Sequence, residues 1–581
     1  MTHVYESDVV IPMRDGVKLT AMVFRPADGQ APTLLVRSPY GIKEPEMGTA
    51  GNGNTFPSLL AFLDAGYAVV WVECRGAFAS EGTFMPKVNE PRDGYDTVEW
   101  IVSQPWSDGA VGTYGASYLG MTQWATATQA HPSLRAMVPL VSAMDWYTGI
   151  WYHPGGAMSL SVALFWHLVM DINDRLRDLK AGNGDPEAIQ ALGAGLTSGP
   201  ALYDHTPVAK HPLLPPGGEL PEIIAHPEYD DFWKAQDFTK DISQMSAPVL
   251  SIAGWYDVFI VQTLRDFERY RHHAATPEAR DGSRLIVGPW EHDQVFTAKT
   301  PDRDFGPTAP GNTCNLTGEH LQHFDRWMRP EAPRSEAPAR VRLFVMGIDQ
   351  WRDEQDWPLP DTRYQSYYLA GTAGQAATDF DGLLSEQPPT TASSISYTYD
   401  PADPVPTTGG SHMPVGFGFS GPVDQRTVEQ RPDVLSFTTP PLEHDIEATG
   451  YITATLYVTS NALDTDFTAK LIDVFPDGKA INLCDGILRM RYRNGLESPE
   501  LMTPGEVYEV EVDMAVTSNV FLAGHRIRVD VSSSNFPRFD RNTNTGGRIN
   551  YEGLDEAVTA TNAILTGPDH PSRVNLPLIA R

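Results

Sequence analysis

The chain is poor in cysteine, in positive charge and in long apolar runs. Its 581 residues include 3 cysteines, and 43 lysines and arginines stand against 74 aspartates and glutamates. Cys74, Cys314 and Cys484 are odd in number and far apart, which excludes a disulfide framework and a zinc site, so we expect buried, inert thiols. The formal net charge of -31 disfavours nucleic acid and anionic membranes as partners.

Signals for membrane insertion and export are also lacking. No apolar run reaches the roughly 18 residues that a transmembrane helix needs. The first residues, MTHVYESDVVIPMRDG, lack the basic and then apolar segments of a secretory leader. We therefore expect a cytoplasmic protein. Its composition, 41% hydrophobic and 20% charged, is typical of a folded chain, and its length predicts about three or four domains.

The first part of the chain alternates apolar runs with helical patterns. TLLVR, AVVWVE, AVGTYG and AMVPLV are rich in valine and leucine, and Val98 and Ile101 fall on one face of an intervening helical pattern. This alternation predicts a parallel sheet with helices on both faces. Pro139, inside AMVPLV, conflicts with a central strand because proline cannot donate to the ladder.

The strand pattern is interrupted once and then resumes. The run MSLSVALFWHLVMDINDRLRDL predicts a long amphipathic helix, and PVLSIAG and RLIVG later restore the strands. We therefore predict a discontinuous α/β-hydrolase domain, residues 1–144 and 241–345, with a helical cap at residues 145–240.

The last part of the chain has a period of two. Ile527, Val529 and Val531 alternate with charged residues, and the short runs are separated by Pro, Gly, Asn and Asp. Such alternation is typical of antiparallel strands with one wet face, so residues 346–581 are predicted to form a jelly-roll β-sandwich domain. The Gly-, Pro-, Ser- and Thr-rich segment 371–425 is predicted to be an irregular connection.

The stretch GTYGASYLG places Ser117 between glycines at a predicted strand-to-helix turn. A nucleophile at such a turn has no room for neighbouring side chains, which explains Gly115 and Gly120, and the helix N-terminus favours negative charge nearby. The pattern is G-x-S-x-x-G instead of G-x-S-x-G, and G-x-S recurs at Ser411 and Ser420. Only Ser117 lies between a strand and a helix. The alternative is a structural turn serine.

A serine nucleophile needs an imidazole to take its proton and a carboxylate to orient that imidazole. In α/β-hydrolases these residues follow in the order serine, acid, histidine, each in a loop after a strand. Asp257 ends PVLSIAGWYD, and His292 lies in RLIVGPWEHD, so both meet that condition. Taken singly, Asp257 could be a helix N-cap and His292 a loop residue without a role.

Motifs along nearly the whole chain resemble the cocaine esterase-like group of the CocE/NonD serine hydrolases, which are related to X-Pro dipeptidyl peptidases and α-amino-acid ester hydrolases. The matching motifs are VRSPYG (36–41), CRGAFASEGTF (74–84), GASYLGMTQW (115–124), WYHPGGAMS (151–159), AGWYDVF (253–259), VGPWEHD (287–293), RLFVMGIDQWRDEQDWPLPDT (342–362), DTDFTAKLIDVFPDG (464–478) and SSSNFPRFDRNTNTGG (532–547).

The resemblance implies a role for each catalytic position. Ser117 matches the nucleophile, His292 the general base and acid, and Asp257 the residue that orients the histidine. Tyr40 matches a tyrosine whose hydroxyl stabilises the oxyanion together with the backbone N–H of Tyr118. Without the resemblance, Tyr40 would be assigned to an ordinary Pro-Tyr turn.

The resemblance also implies an aromatic acyl pocket. Trp151, Trp166 and Phe259 match residues that surround the acyl group of aromatic esters in the family, and the alternative is that they form the core of the cap. The loop GGSHMPVGFGFSG (409–421) departs from the family, with His412 and Met413 where leucines are expected. We expect this loop to border the pocket, which puts cocaine itself in doubt as a substrate.

The sequence therefore predicts a serine carboxylesterase that hydrolyses small-molecule aromatic or small acyl esters without a metal or an organic cofactor, and the resemblance suggests a homodimer. One alternative is a peptidase or acylase acting on X-Pro amides or β-lactam acyl groups. It would need a carboxylate cluster for a substrate amine, and we assign Asp171 and Asp174 to the wet face of a cap helix instead. The other alternative is a catalytically silent carbohydrate-binding protein.

Overall fold

The computed structural model describes residues 2–41, 59–215, 217–292, 295, 297–329, 337–371, 382–413 and 415–580. Ten strands form a first sheet: β1 (His3–Pro12), β2 (Lys18–Pro26), β3 (Ala31–Ser38), β4 (Ala68–Glu73), β5 (Ser107–Ala116), β6 (Leu134–Leu140), β7 (Leu250–Tyr256), β8 (Arg284–Glu291), β9 (Val341–Val345) and β10 (Gln350–Glu354). The helices are α1 (Leu59–Asp64), α2 (Glu90–Val102), α3 (Tyr118–Ala127), α4 (Leu160–Lys180), α5 (Pro186–Leu196), α6 (Glu219–Ala225), α7 (Asp231–Lys234), α8 (Ile260–His273), α9 (Pro277–Gly282) and α10 (Leu316–Met328).

The first sheet has the order β1-β2-β4-β3-β5-β6-β7-β8-β9-β10. The strands from β4 to β9 along this order are parallel, and β1, β2 and β10 pair antiparallel at the edges. Parallel strands place all their carboxyl ends, and the loops that follow them, on one edge of the sheet. Because β9 and β10 belong to this sheet, it continues past residue 345, where we predicted the domain boundary.

Helices cover both faces of the first sheet, as the alternation predicts. Leu35 packs in a cluster with Val98 and Ile101 of α2, whereas its neighbour Leu34 belongs to the larger core. On that second face, Phe62 of α1 meets Phe324 of α10 with ring centroids 6.0 Å apart. The α/β-hydrolase fold class is thereby confirmed.

Pro139 lies in a central strand, contrary to the usual rule. It pairs with Gly115 of β5. The amides two residues before and after it bond to β7 and the residues just before β7: Met137 N–H donates to Pro248 O at 3.0 Å, and Val141 N–H, just after β6, donates to Ile252 O at 2.8 Å. The amide that proline lacks would face β7, and there the β6–β7 ladder is reduced to one bridge and one residue pair. The sheet tolerates the proline because the neighbouring amides carry the pairing.

The C-terminal region forms a second, 11-stranded sheet assembly that is antiparallel except where β12 meets β14. Its strands are β11 (Thr362–Ala370), β12 (Gly382–Ser385), β13 (Ser393–Tyr399), β14 (Leu435–Thr438), β15 (Ile446–Ser460), β16 (Asp466–Val474), β17 (Ala480–Arg489), β18 (Tyr508–Phe521), β19 (Arg526–Ser532), β20 (Ala560–Thr566) and β21 (Arg573–Ile579). The predicted all-β class is confirmed. The prediction of an irregular segment 371–425 was wrong for β12 and β13, because short half-buried strands carry turn-forming residues as loops do; residues 372–381 and 414 lie outside the described part.

Between β6 and β7 the chain forms helices α4 to α7, which constitute the cap. The cap touches the β region through backbone bonds: Arg489 N–H donates to Gly155 O at 2.9 Å and Asp540 N–H to Met158 O at 2.9 Å. A Cβ at Gly155 would lie 1.9 Å from Ile487 O, so only glycine permits this approach. The three cysteines are buried, and no helix in the described ranges is long and apolar enough to cross a bilayer.

Candidate active site

Ser117 occupies a sharp turn between β5 and α3. Its backbone has φ 56° and ψ -122°, which for a non-glycine residue costs about 1–3 kcal/mol and marks a constrained turn. A Cβ at Gly115 would lie 2.6 Å from Leu119 Cβ, and one at Gly120 would lie 2.5 Å from Ser142 Cβ. The glycines are therefore needed for the reason that the sequence suggested: the turn leaves no room beside the serine.

The turn is fixed to the sheet and opens directly into the helix. Ser117 N–H donates to Leu140 O of β6 at 2.9 Å, and Ser117 O accepts from Gly120 N–H at 2.9 Å and Met121 N–H at 3.0 Å. Since Tyr118 is the first residue of α3, its backbone N–H has no acceptor within the helix. A half-buried hydroxyl thus lies at the positive end of the α3 dipole.

The structure brings Asp257 and His292 into contact. They follow the adjacent strands β7 and β8, and Asp257 Oδ1 lies 2.6 Å from His292 Nδ1. Asp257 Oδ2 accepts from Phe259 N–H at 3.1 Å, and the carboxyl group is 0% exposed. A carboxylate can only accept, so Nδ1 carries the shared hydrogen, and in the neutral form of the ring the lone pair is on Nε2. The N-cap interpretation of Asp257 does not hold, because Phe259 is the cap residue of α8.

Tyr40 lies at the same edge of the sheet, in the loop after β3, which is the neighbour of β5. Its Oη accepts a hydrogen bond from Trp166 Nε1 in the cap, 3.1 Å away. The side chain of Tyr118 points elsewhere: its hydroxyl donates to Glu90 Oε1 at 3.0 Å in the buried interior. For Tyr118, only the backbone N–H is available for the role that the resemblance implies.

The three predicted pocket aromatics meet around a fourth that sequence reasoning missed, Trp146. Its ring centroid lies 5.7 Å from Trp151, 6.5 Å from Trp166 and 5.9 Å from Phe259. Phe259 in turn lies 5.7 Å from the ring of His292. The aromatics therefore form one continuous wall that reaches the histidine, and most of their surface is buried. The aromatic-rich run DWYTGIWY was the available signal for Trp146.

The loop 409–421 lies beside the residues that follow Asp257. His412 and Met413 line a cavity of about 40 Å³ together with Val258 and Gly149. Burial lowers the pKa of His412 to about 4, so this histidine is neutral at physiological pH. The loop thus presents a neutral, mainly apolar surface there.

The side chain of Asp171 is mostly buried, with 14% of its surface exposed, whereas that of Asp174 is 47% exposed and fits the wet helix face that we assigned to both. They line a cavity of about 410 Å³ between the cap and residues 83–88, together with Glu219 and Glu222. The sequence could not reveal this group because the two glutamates belong to α6, far along the chain. Asp171 is paired with Arg175 at 2.7 Å. No cluster of three or more His, Cys, Asp and Glu suited to a metal ion occurs in the described ranges.

Comparison with known proteins gives matches along most of the chain. Residues 15–294 match the family model of X-Pro dipeptidyl-peptidase (S15 family), and residues 334–575 match that of the X-Pro dipeptidyl-peptidase C-terminal non-catalytic domain. A cocaine esterase from Rhodococcus sp. (strain MB1 Bresler) is 45% identical over 99% of this chain and 98% of its own length.

Two solved structures share the whole architecture. An α-amino acid ester hydrolase superposes with a TM-score of 0.78 at 25% identity, covering 99% of this chain and 96% of its own. A CocE/NonD family hydrolase from Staphylococcus aureus superposes with a TM-score of 0.71 at 21% identity, covering 100% and 94%, and shows the common fold. The 45% identity to the Rhodococcus cocaine esterase over nearly the whole length of both chains shows that this chain belongs to the cocaine esterase-like serine hydrolases.

Proposed function

We propose that the protein is a serine carboxylesterase that hydrolyses aromatic or small acyl esters, with Ser117, His292 and Asp257 as its catalytic triad. The observation that carries this proposal is the buried 2.6 Å contact between Asp257 and His292, at the sheet edge where Ser117 occupies its constrained turn. That arrangement supplies a nucleophile, an oriented base and a helix N-terminus, which acyl transfer requires.

Each group has a defined part in the reaction. His292 Nε2 takes the proton of Ser117 Oγ as the oxygen attacks the ester carbonyl. The Tyr40 hydroxyl and the Tyr118 N–H donate to the resulting oxyanion. When the tetrahedral intermediate collapses, His292 returns the proton to the leaving alcohol and Ser117 carries the acyl group. Water, deprotonated by His292, then attacks the acyl-serine. As the bond between the acyl carbon and Ser117 Oγ breaks, His292 returns the proton to Oγ and the acid is released.

The substrate class follows from the walls of the site. Trp146, Trp151, Trp166 and Phe259 pack on one another and make the surroundings of His292 apolar and aromatic, which suits an aryl or a short alkyl acyl group. Amide hydrolysis on substrates with a free amine is a second candidate, supported by the four carboxylates that line the larger cavity. Comparing nitrophenyl esters with X-Pro nitroanilides separates the two. The homodimer and the cytoplasmic location expected from the sequence stay predictions.

Labelling with a fluorophosphonate followed by peptide mapping tests the nucleophile without a choice of substrate. We expect covalent modification of Ser117 alone and no labelling of Ser117→Ala. The matched control is Ser420→Ala, which removes a serine in a competing G-x-S triplet and should be labelled like the wild type. A label on another serine, or persistent ester turnover by Ser117→Ala, would overturn the proposal.

A further inference from the structure

A single indole of the cap contacts the side chains of both residues, Tyr40 and Tyr118, that are expected to supply oxyanion donors. Trp166 of α4 donates its Nε1–H to Tyr40 Oη at 3.1 Å, across 126 residues of sequence. Its ring is also stacked against the ring of Tyr118, with centroids 6.1 Å apart and planes inclined by 17°. We propose that Trp166 is a positioning residue that orients the Tyr40 hydroxyl toward the oxyanion, in addition to any contact with substrate. This inference rests on the proposed function.

Hydrogen-bond chemistry fixes the direction of this contact. An indole N–H can only donate, whereas a phenol oxygen accepts on its lone pairs and donates its one hydrogen. Tyr40 Oη is therefore the acceptor, and its hydrogen must point away from Trp166. Donation into the phenol oxygen also makes its O–H a stronger donor, because linked hydrogen bonds polarise one another. Removing the indole N–H removes this restraint on the direction of the hydroxyl and lowers the share of productive orientations.

Trp166 is held firmly enough to define an orientation. Trp166 is 9% exposed and packs against Trp151, 5.5 Å away, and His167, 5.0 Å away, and those two rings also contact each other at 4.9 Å. The His167 ring is itself fixed by its Nδ1, which donates to Ala163 O at 2.6 Å. Because Trp166 comes from the cap, a displacement of α4 would disturb the Tyr40 hydroxyl. The oxyanion donors thus depend on the seating of the cap.

A double-mutant cycle between Trp166 and Tyr40 tests the inference. We expect Trp166→Phe to lower kcat for a nitrophenyl acetate about 10-fold with a small change in KM, since the acetyl group makes few contacts with the wall. In the Tyr40→Phe background the same change should lower kcat less than about 2-fold, because no hydroxyl is left to orient. An equal loss in both backgrounds would overturn the inference, since it would show that Trp166 acts through packing alone.

Trp151 provides the contrast within this cycle. Its Nε1 is buried and has no hydrogen-bond partner among the described residues, so Trp151→Phe changes ring size and removes no bond. We expect its effect on kcat to be the same in the wild-type and Tyr40→Phe backgrounds. Coupling of Trp151 to Tyr40 as strong as that of Trp166 would contradict a role for the hydrogen bond.

An isostere separates the N–H from the shape of the ring. Benzothienylalanine has sulfur in place of the indole N–H, and at position 166 it should reproduce the kcat loss of Trp166→Phe while the thermal midpoint stays near wild type. The matched control is the same residue at position 124, because Trp124 Nε1 is buried without a partner in the part of the chain that the structure describes and lies outside the site. That variant should keep wild-type kcat. Wild-type kcat for the position 166 variant would overturn the inference.

Labelling of the wild type distinguishes this inference from the function on which it rests. If the wild type hydrolyses no ester and a fluorophosphonate does not modify Ser117, the proposed function fails and this inference fails with it. If the wild type is active and labelled at Ser117 but the Trp166 and Tyr40 effects multiply independently, only the positioning role fails.

Discussion

Asp257 in the hydrolase region and Asp466 in the C-terminal β region are both carboxylates that the fold removes almost completely from water, with 0% and 1% of their surface exposed. Asp257 is bonded to the ring of His292 and to a backbone donor, Phe259 N–H. Asp466 is held by a bidentate contact with Arg489 at 3.0 Å on both oxygens and by Asn542 at 2.7 Å.

The guanidinium of Arg489 is shared with a second buried carboxylate, Asp540, at 2.8 and 3.2 Å. Asp540 also accepts from Met158 N–H of the cap at 3.0 Å. The polar groups of this cluster thus bond to one another and lock the cap to the β region. At the candidate active site, by contrast, Asp257 contacts Nδ1 of His292, and the second nitrogen of that ring, Nε2, is the proposed proton acceptor. Removing a group should therefore cost turnover at the site and stability in the cluster.

The largest effect that the comparison predicts is on turnover. Ser117→Ala removes the nucleophile and should lower kcat for nitrophenyl esters at least about 10⁴-fold. The hydroxyl is half-buried and the backbone turn is retained, so the free energy of unfolding should change by less than about 1 kcal/mol. Steady-state kinetics and urea unfolding measure the two quantities. A Ser117→Ala variant that unfolds much more readily would show that Ser117 also stabilises the fold. It would contradict the expected division between turnover at the site and stability in the cluster.

Arg489→Met should produce the opposite result. It leaves Asp466 and Asp540 buried without their cation, which should lower the free energy of unfolding by about 3–5 kcal/mol. The kcat measured well below the unfolding midpoint should stay near that of the wild type, because these two partners of Arg489 lie outside the proposed triad. The control is Arg426→Met, which breaks the pair between Asp424 and an arginine whose side chain is 55% exposed, and it should cost less than about 1 kcal/mol. Equal losses of unfolding free energy for the two variants would show that the buried cluster stabilises the protein no more than the pair of Arg426 with Asp424 does.

Tyr40→Phe sharpens the comparison within the site. It removes one oxyanion donor and should lower kcat about 10²- to 10³-fold with little effect on KM, because the bond to the oxygen strengthens in the transition state. The bond that Trp166 donates is lost as well, and it should cost about 1 kcal/mol of stability. An unchanged kcat would remove Tyr40 from the mechanism and leave Tyr118 N–H as the expected donor.

The sequence predicted local features well because each rests on contacts close along the chain. Hydrophobic periodicity and the positions of the glycines predict the strand-to-helix turn at Ser117, the strands that end near Asp257 and His292, and the interruption by the cap. The resemblance added Tyr40, for which the local residues indicate only a turn. It also supplied Trp151 and Trp166 without indicating how they meet.

Contacts between distant segments escaped sequence analysis. Nothing in the local pattern connects Trp166 to Tyr40, because each is a plausible core or turn residue until the cap is placed over the sheet. The cluster around Arg489 joins carboxylates from separate parts of the β region, and an isolated aspartate carries no signal of its partner. Pro139 conflicted with a central strand as long as only its own segment was considered. The structure resolves the conflict, because the amides of Met137 and Val141 make hydrogen bonds on the side that faces β7.

The smallest predicted effect is on the pH dependence of stability, and it concerns His320, a buried histidine of the hydrolase region. His320 on α10 lies against Phe62, and its Nδ1 donates to Leu316 O at 2.8 Å. Burial lowers the pKa of His320 from 6.5 to about 4, so the native state keeps this ring neutral. Unlike Arg489, His320 is buried without charge.

A histidine with a depressed native pKa binds more protons in the unfolded state at mildly acidic pH. Its contribution to stability is complete above about pH 6.5 and is lost progressively as the pH falls toward 4. His320→Gln abolishes that proton uptake and retains a donor for the Leu316 carbonyl. The wild type should therefore lose about 1 kcal/mol relative to His320→Gln between pH 7.5 and 5.5, measured by urea unfolding at each pH. Between pH 7.5 and 8.5 the difference should stay constant, because the ring is neutral in both states. A difference that is constant down to pH 5.5 would mean that folding does not shift the pKa of His320, and one that grows in favour of the wild type would mean that the hydrolase region holds His320 charged, as the β region holds Arg489.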